Sequence, residues 1–285
     1  MKKNGFILSL CLGILVLSSC NSDDTNNVPE TYPLIATETT YKDGTLEHTF
    51  INKYNDNGDL LKRISIDSSE YLTSEYSYTN NEIKITKYNE YNVSHWETRY
   101  ELDDNNLVSI YIIVEDEIMT VGAADYKDGY LVKEVVNIWK DRSAMTYAYT
   151  VEDGNTVSST QITNTLASAS KFSPSKVAGS LLPSMILQNP ELGFASRANA
   201  AINKVASPYD FTYTFQFSNE KNTIGMENKG IHFMGKQNKN LINHYRTSDN
   251  QIVTFYYQFD DKKRVSKQSW SEGESDYYTK FTYVD

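Results

Sequence analysis

A short unit recurs along most of this chain: a tyrosine, a turn rich in Asn, Asp and Gly, and then an apolar residue. The clearest copy begins at Tyr54 and passes through Asn57-Gly58 to Leu60. The first five copies are separated by 24, 22, 26 and 23 residues, and the pattern resumes after residue 206. Such a sustained period indicates one repeated supersecondary unit. The repeats begin at Tyr54, Tyr78, Tyr100, Tyr126, Tyr149, Tyr213, Phe233 and Tyr257.

Each unit has the composition of a strand, a tight turn and a second strand. Asn-Gly and Asp-Gly tolerate the positive φ angles that two-residue hairpin turns require. Weaker turn signals, such as Asp43-Gly44 and Glu272-Gly273, fall half a period away. Apolar and aromatic residues alternate between the turns, as in Phe211 to Phe217, and a period of two indicates strands. The sequence predicts a mainly β protein, a continuous antiparallel meander of about fifteen strands that forms a curved open sheet or a barrel-like structure.

One segment, residues 166–207, interrupts the repeat because it loses tyrosine and gains Ala, Ser, Leu and Pro. Ser173-Pro174 and Asn189-Pro190 have the form of an N-cap followed by proline at the first helical position. We therefore expect a short α-helical insert here. The insert either plugs the open end of the curved sheet or forms a lid over an apolar cavity.

The first residues predict secretion and lipid attachment. A basic start at Lys2-Lys3 precedes the apolar run from Phe6 to Leu17, which is too short to span a bilayer and is typical of a signal peptide. Leu17-Ser18-Ser19 then precedes Cys20, the acceptor position of a bacterial lipoprotein box. We expect residues 1–19 to be a lipoprotein signal peptide and Cys20 to be the lipidated first residue of the mature protein, anchored in the membrane.

The residues after Cys20 predict the location and the domain boundaries. Residues 20–35 have the polar composition of a flexible acidic linker, and we expect residues 36–285 to form a single β-repeat domain that includes the helical insert. Ser22-Asp23-Asp24 resembles the acidic tag that directs Bacteroidetes lipoproteins to the outer face of the outer membrane. The resemblance implies a protein anchored in the outer membrane and exposed at the cell surface. The alternative is a domain that faces the periplasm.

A family resemblance supports this location. The tyrosine–turn–leucine units resemble YD-type repeats, and the order of elements around Ile224-Gly225-Met226, Asn240-Leu241 and Tyr256 to Asp260 is similar to that of a family of Bacteroidetes lipoproteins of unknown function. The similarity spans most of the mature chain. The family carries no established activity, so the resemblance gives no residue a catalytic role.

Composition and motifs exclude several chemistries. The net charge of −10 disfavours binding to nucleic acid. The only cysteine besides Cys20 is Cys11, which leaves with the signal, so the mature chain has no thiolate nucleophile. His48, His95, His232 and His244 fit no metal-binding spacing, although His232 and His244 fall in neighbouring predicted strands. We expect no enzyme, no metal site and no cofactor.

Three tryptophans are the weak candidates for ligand contact. Trp96, Trp139 and Trp270 lie in predicted strands beside polar or charged residues. An indole exposed on a sheet face can stack on a sugar ring, whereas an indole on the other face fills the core. Both interpretations stay open from sequence, and the core interpretation is favoured.

Three function classes follow from these observations. The first is a non-catalytic surface lipoprotein that binds a glycan, a peptide or another envelope component. The second is a periplasm-facing lipoprotein that handles lipid or assists envelope assembly, with an apolar ligand inside a curved sheet. The third is a hydrolase of polysaccharide or peptide, which no motif supports. The sequence favours the first class.

Overall fold

The computed structural model describes residues 32–67, 71–91, 93–115, 118–138, 143–165, 211–248 and 250–284. Sixteen strands in these ranges form one antiparallel meander, and β16 pairs with β1 to close a barrel. The strands are β1 Ile35–Lys42, β2 Thr45–Tyr54, β3 Leu60–Asp67, β4 Tyr71–Tyr78, β5 Glu82–Tyr88, β6 Ser94–Leu102, β7 Val108–Glu115, β8 Ile118–Lys127, β9 Tyr130–Ile138, β10 Ser143–Glu152, β11 Asn155–Thr165, β12 Phe211–Lys221, β13 Asn240–Thr247, β14 Ile252–Phe259, β15 Val265–Glu272 and β16 Ser275–Tyr283. The predicted mainly β meander is confirmed, and the sheet is closed.

Alternation along the strands separates an inner from an outer wall. In β4, Tyr76 is buried between the exposed Glu75 and Ser77, and its register partner on β5 is the buried Ile85. The same register continues around the barrel, where Tyr100 lies opposite Tyr111. Because side chains in a strand point alternately to opposite faces, the aromatic residues of the repeat collect inside the barrel.

Two-residue hairpins use the turn chemistry that the sequence predicts. Asp43-Gly44, Asp128-Gly129 and Asp153-Gly154 each have positive φ at both residues, as a type I′ turn requires. This turn has a twist that matches the right-handed twist of the strands, so these dipeptides also set the register of their hairpins.

Three longer hairpins share a side-chain hydrogen-bonding pattern within the turn. Asn55, Asp103 and Asp260 each accept hydrogen bonds through one side-chain oxygen from the backbone N–H groups two and four residues ahead. In each turn the residue three positions ahead has positive φ. Asx turns of this kind explain the Asn and Asp of the repeat as local structural residues.

One end of the barrel is covered by residues 222–239, which connect β12 to β13 and which we call the cap segment. This end carries the β2–β3, β4–β5, β6–β7, β8–β9, β10–β11 and β14–β15 hairpins, and we call it the capped end. The cap segment contains one 3₁₀ turn, Glu227–Lys229, followed by Gly230 with a φ of 67°. Side chains from the cap segment complete a core with the inner wall: Met226, Ile231, Phe233 and Met234.

The structure corrects two expectations about this region. Phe233 and His232, which the repeat places in strands, lie instead in the cap segment. Phe233 packs inside, with its ring centroid 5.3 Å from that of Tyr100. Among the described residues, the segment that plugs the barrel is therefore residues 222–239. The predicted helical insert at 166–207 lies outside the described residues.

Candidate functional site

The cap segment is bonded to the barrel wall through its backbone. Gly230 and Phe233 accept hydrogen bonds through their carbonyl oxygens from the first residues of β3 and β7, at 3.1 and 2.9 Å. Lys236 and Lys239 donate their N–H groups to the turn glycines Gly129 and Gly154, at 2.7 and 2.9 Å. A closed barrel of sixteen strands is wide enough to enclose a water-filled channel. The cap segment, bonded to the wall at these points, obstructs that channel at the capped end.

A buried ionic group also ties the cap segment to the wall. Lys229 of the cap segment donates to Glu38 Oε2 at 2.7 Å, and Arg63 of β3 donates to Glu38 Oε1 at 3.0 Å. All three residues are buried. Burial raises the pKa of the Glu38 carboxyl, but Lys229 and Arg63 together outweigh burial and hold that pKa below its ordinary value. The Glu38 carboxylate is therefore ionised at neutral pH.

A second buried carboxylate lies on the inner wall at β9. Glu134, which is 0 % exposed, accepts hydrogen bonds from the hydroxyls of Tyr111 at 2.7 Å and Tyr149 at 3.3 Å. Tyr111 reaches this position because its ring lies over Gly122, where an added Cβ would come within 1.9 Å of Tyr111 Cζ. Burial raises the pKa of Tyr149 well above its ordinary value, so its hydroxyl stays protonated and donates.

Aromatic rings line the inner wall of β12 to β16. Consecutive ring centroids from Tyr213 to Tyr245, Phe255 and Trp270 are each 6.1 Å apart. Trp270 then stacks on Tyr277 at 5.4 Å with an interplanar angle of 6°. We call this run of five rings the aromatic belt. All five residues lie in the half of their strands away from the capped end.

The three candidate tryptophans have different outcomes. Trp270 is 5 % exposed and lies on the inner wall, so it offers no ring to solvent on the outer face. Its indole Nε1 is buried and forms no hydrogen bond with the described residues. Trp96 lies in β6, but its side chain is outside the described part of the protein. Trp139 and Cys20 lie entirely outside the described residues.

Several interior residues escape the sequence patterns. Glu38, Arg63 and Lys229 carry no motif, and Lys229 lies outside any strand. Only Glu134 leaves a signal, because alternation puts it on the same face as Val136. A charged residue at a position where alternation predicts the inner face of a strand indicates a buried, paired group.

The outer wall carries ion pairs in the middle of its strands. Glu97 on β6 binds Lys84 of β5 and accepts a hydrogen bond from Arg99 Nε at 2.6 Å. Lys62 on β3 lies 3.1 Å from Glu75 on β4. These pairs are between partly exposed side chains.

The described ranges contain neither a candidate metal site nor a candidate membrane-spanning helix. No group of three or more His, Cys, Asp or Glu residues there is placed to hold a metal ion. No helix among the described residues is long and apolar enough to cross a membrane.

Comparisons with known proteins identify fold neighbours. The sequence matches no protein-family model and no curated protein. A porin-like protein from Bacteroides uniformis superposes with a TM-score of 0.56 at 11% sequence identity, over 89% of this chain and 100% of that chain. One from Bacteroides vulgatus gives 0.51 at 9%, over 88% and 99%. At these identities the likeness shows the barrel fold alone.

Proposed function

We propose that this chain is a non-catalytic, lipid-anchored protein of the outer envelope that binds a glycan, a peptide or another envelope component. In this proposal the barrel stands in water, and the lipid on Cys20, rather than the barrel wall, holds the protein at the membrane. The observation that carries the proposal is the charged outer wall.

The outer wall lacks the continuous apolar surface that a lipid-facing wall needs. Ile110, Ile112 and Val114 of β7 point outward, but their register partners on β6 are Glu101, Arg99 and Glu97. Arg or Lys on the lipid face of a transmembrane barrel costs about 2–4 kcal/mol near the midplane. A strand with three successive outward charges therefore favours a barrel surrounded by water.

The interior supports a binding role over a conducting role. The cap segment crosses the capped end and is held there by backbone hydrogen bonds and by the Glu38 ionic group. A fixed plug of this kind obstructs diffusion through the lumen. The porin-like fold would then serve as a rigid platform with a large outer surface.

Membrane fractionation of cells tests the anchor. We expect the wild-type protein to incorporate labelled palmitate and to sediment with membranes. The Cys20→Ala variant should lose the label and become soluble, whereas Cys11→Ala, which changes the other cysteine of the signal, should behave as wild type. Retention of unlabelled Cys20→Ala in carbonate-washed membranes would show a barrel embedded in lipid and overturn the proposal.

Protease treatment of intact cells tests the side of the membrane. Digestion before lysis supports exposure at the cell surface, which the Ser22-Asp23-Asp24 tag predicts. Protection until lysis places the domain in the periplasm and favours the second function class.

The aromatic belt favours one second candidate, an interior site for an apolar ligand. Trp270 Nε1 is a buried donor that forms no hydrogen bond with the described residues, and a buried unsatisfied donor costs about 1–3 kcal/mol. A ligand acceptor beside the belt would satisfy it. Native mass spectrometry of the purified protein tests this candidate: a co-purifying small molecule that Trp270→Phe loses supports it, and an unliganded mass contradicts it.

A further inference from the structure

Two rows of outward side chains cross the outer wall over β14, β15, β16 and β1. Cross-strand pairing puts the first row in register: Tyr256, Ser269, Tyr278 and Tyr41. The second row runs beside it: Gln258, Lys267, Lys280 and Thr39. We call them the tyrosine row and the lysine row. Neighbouring strands lie about 4.8 Å apart, so each row is about 14 Å long.

Neither row contains a carboxylate, although the chain has 37 Asp and Glu against 27 Lys and Arg. The nearest outward acid along β16 is Asp276, two residues from Tyr278 on the side away from the lysine row. Its carboxylate accepts a hydrogen bond from the Ser271 hydroxyl at 2.6 Å. The two rows therefore form a locally basic and hydroxyl-rich surface on an acidic protein.

The two lysines of the lysine row lie opposite each other without a neighbouring acid among the described residues. Lys267 and Lys280 lie directly opposite each other on β15 and β16, and like charges in that position are destabilising. Neither forms an ion pair with the described residues; instead, Lys267 Nζ lies 4.4 Å from the ring centroid of Tyr278. Lys280 Nζ lies 5.4 Å from Tyr41 and 5.7 Å from Tyr278. The tyrosine rings hold both ammonium groups in place.

A second opposed lysine pair on the outer wall has a different environment. Lys53 and Lys62 also lie directly opposite each other, on β2 and β3. There the protein supplies the counterion, because Lys62 is 3.1 Å from Glu75. The Lys267–Lys280 pair has no such acid, and an anion from outside would take that place.

The tyrosine row determines what kind of molecule carries the anion. Tyr41 and Tyr278 stack at 4.6 Å, so their faces are used and their edges and hydroxyls are left for contact. Tyr256 is 67 % exposed, makes no ring contact with the described residues, and lies two strands from Tyr278, about 9.6 Å away. Its face can stack on a sugar ring, and two strand spacings are close to the length of a disaccharide unit.

We propose that the tyrosine and lysine rows form a binding site for an anionic polysaccharide. Its acidic groups lie between Lys267 and Lys280, and its sugar rings contact Tyr256 and the row of hydroxyls. The inference names the ligand class and the surface for the proposed binding role, and it rests on that role. An anionic membrane surface fits less well, because a flat surface would also face the rest of this protein of net charge −10, whereas a polysaccharide chain contacts only the two rows.

Affinity gel electrophoresis of the full-length protein in non-ionic detergent tests the site. The gels contain polygalacturonate, dextran sulfate or neutral dextran as the probe. We expect retardation by at least one acidic polymer and none by neutral dextran, with weaker retardation as salt rises. The double variant Lys267→Gln and Lys280→Gln should bind about tenfold more weakly or worse, because two charge-assisted contacts are lost. Tyr256→Ser should also weaken binding.

The matched control is the double variant Lys53→Gln and Lys62→Gln, which removes the same charge from the other opposed pair. It should bind as wild type. Equal losses in both double variants would show a response to net charge and overturn the site. Retardation by neither acidic polymer also overturns it, as does preferential binding to phosphatidylglycerol vesicles. These outcomes concern the purified protein and leave the fractionation test of the anchor independent.

Discussion

The hydroxyl of Tyr54 donates a 2.6 Å hydrogen bond to the backbone carbonyl of Ile35, the first residue of β1. The relationship recurs around the barrel: Tyr78 donates to Leu60, Tyr257 to Ile242 and Tyr283 to Val265, at 2.8, 2.7 and 2.9 Å. In each case a tyrosine near the end of one strand reaches back to a carbonyl near the start of the strand just before it. The bond gives the hydroxyl a structural role at three repeat positions, Tyr54, Tyr78 and Tyr257.

Replacement of Tyr54 with Phe should remove this bond and keep the packed ring. We expect the free energy of unfolding to fall by about 0.5–1.5 kcal/mol, measured by urea denaturation. The loss stays modest because the Ile35 carbonyl also accepts from Asn52 Nδ2 at 3.0 Å. Tyr91→Phe is the control, since Tyr91 is exposed and should change stability very little. Equal effects of the two variants would contradict a role for the hydroxyl.

The Glu38 ionic group should respond unequally to loss of its members. Glu38→Gln leaves Lys229 and Arg63 buried without the carboxylate that joins them, so we expect a loss of about 3–5 kcal/mol in unfolding free energy. Lys229→Met should cost less, because Glu38 keeps Arg63 at 3.0 Å. Lys62→Met on the outer wall is the control and should cost under about 1 kcal/mol. The reverse order of the first two variants would contradict this account.

Acid should weaken the same group. Because Lys229 and Arg63 outweigh burial and lower the pKa of Glu38 in the folded protein, its stabilising contribution is present above the unfolded pKa. That contribution is lost as pH falls through the folded pKa, which lies below the ordinary range of a glutamate. The difference in unfolding free energy between wild type and Glu38→Gln should therefore shrink on acidification. A difference that stays constant from neutral to acidic pH would rule out the linkage.

Gly122 should not tolerate a side chain. In Gly122→Ala the new Cβ would lie 1.9 Å from Tyr111 Cζ, so the ring must move and its hydroxyl must leave Glu134. We expect a loss of about 1–3 kcal/mol in unfolding free energy, the usual cost of overpacking. Ala123→Val, on the exposed outer face next to Gly122, is the control and should be close to neutral. Wild-type stability of Gly122→Ala would show that the Tyr111 position is not constrained.

Local physics explains what could be predicted from sequence. The alternation of Phe211, Tyr213, Phe215 and Phe217 identifies a strand without any distant contact. Asp128-Gly129 and Asp153-Gly154 set their own hairpins, because the positive φ angles they tolerate are those of the type I′ turn. Phe233 shows where such reasoning fails: it has the spacing of the repeat, yet packing against Tyr78 and Tyr100 places it in the cap segment.

The sequence by itself determined the meander, its turns and the inward face of its aromatic residues, because each depends on neighbours within one hairpin. Tertiary structure decided the closure between β1 and β16, the position of the cap segment and the ionic group that holds it. Glu38 and Lys229 are 191 residues apart, and no local pattern links them. The β15–β16 hairpin by itself sets the register that puts Lys267 opposite Lys280. Barrel closure then decides the residue on the other side of Lys280, which is Thr39 of β1 and not an acid.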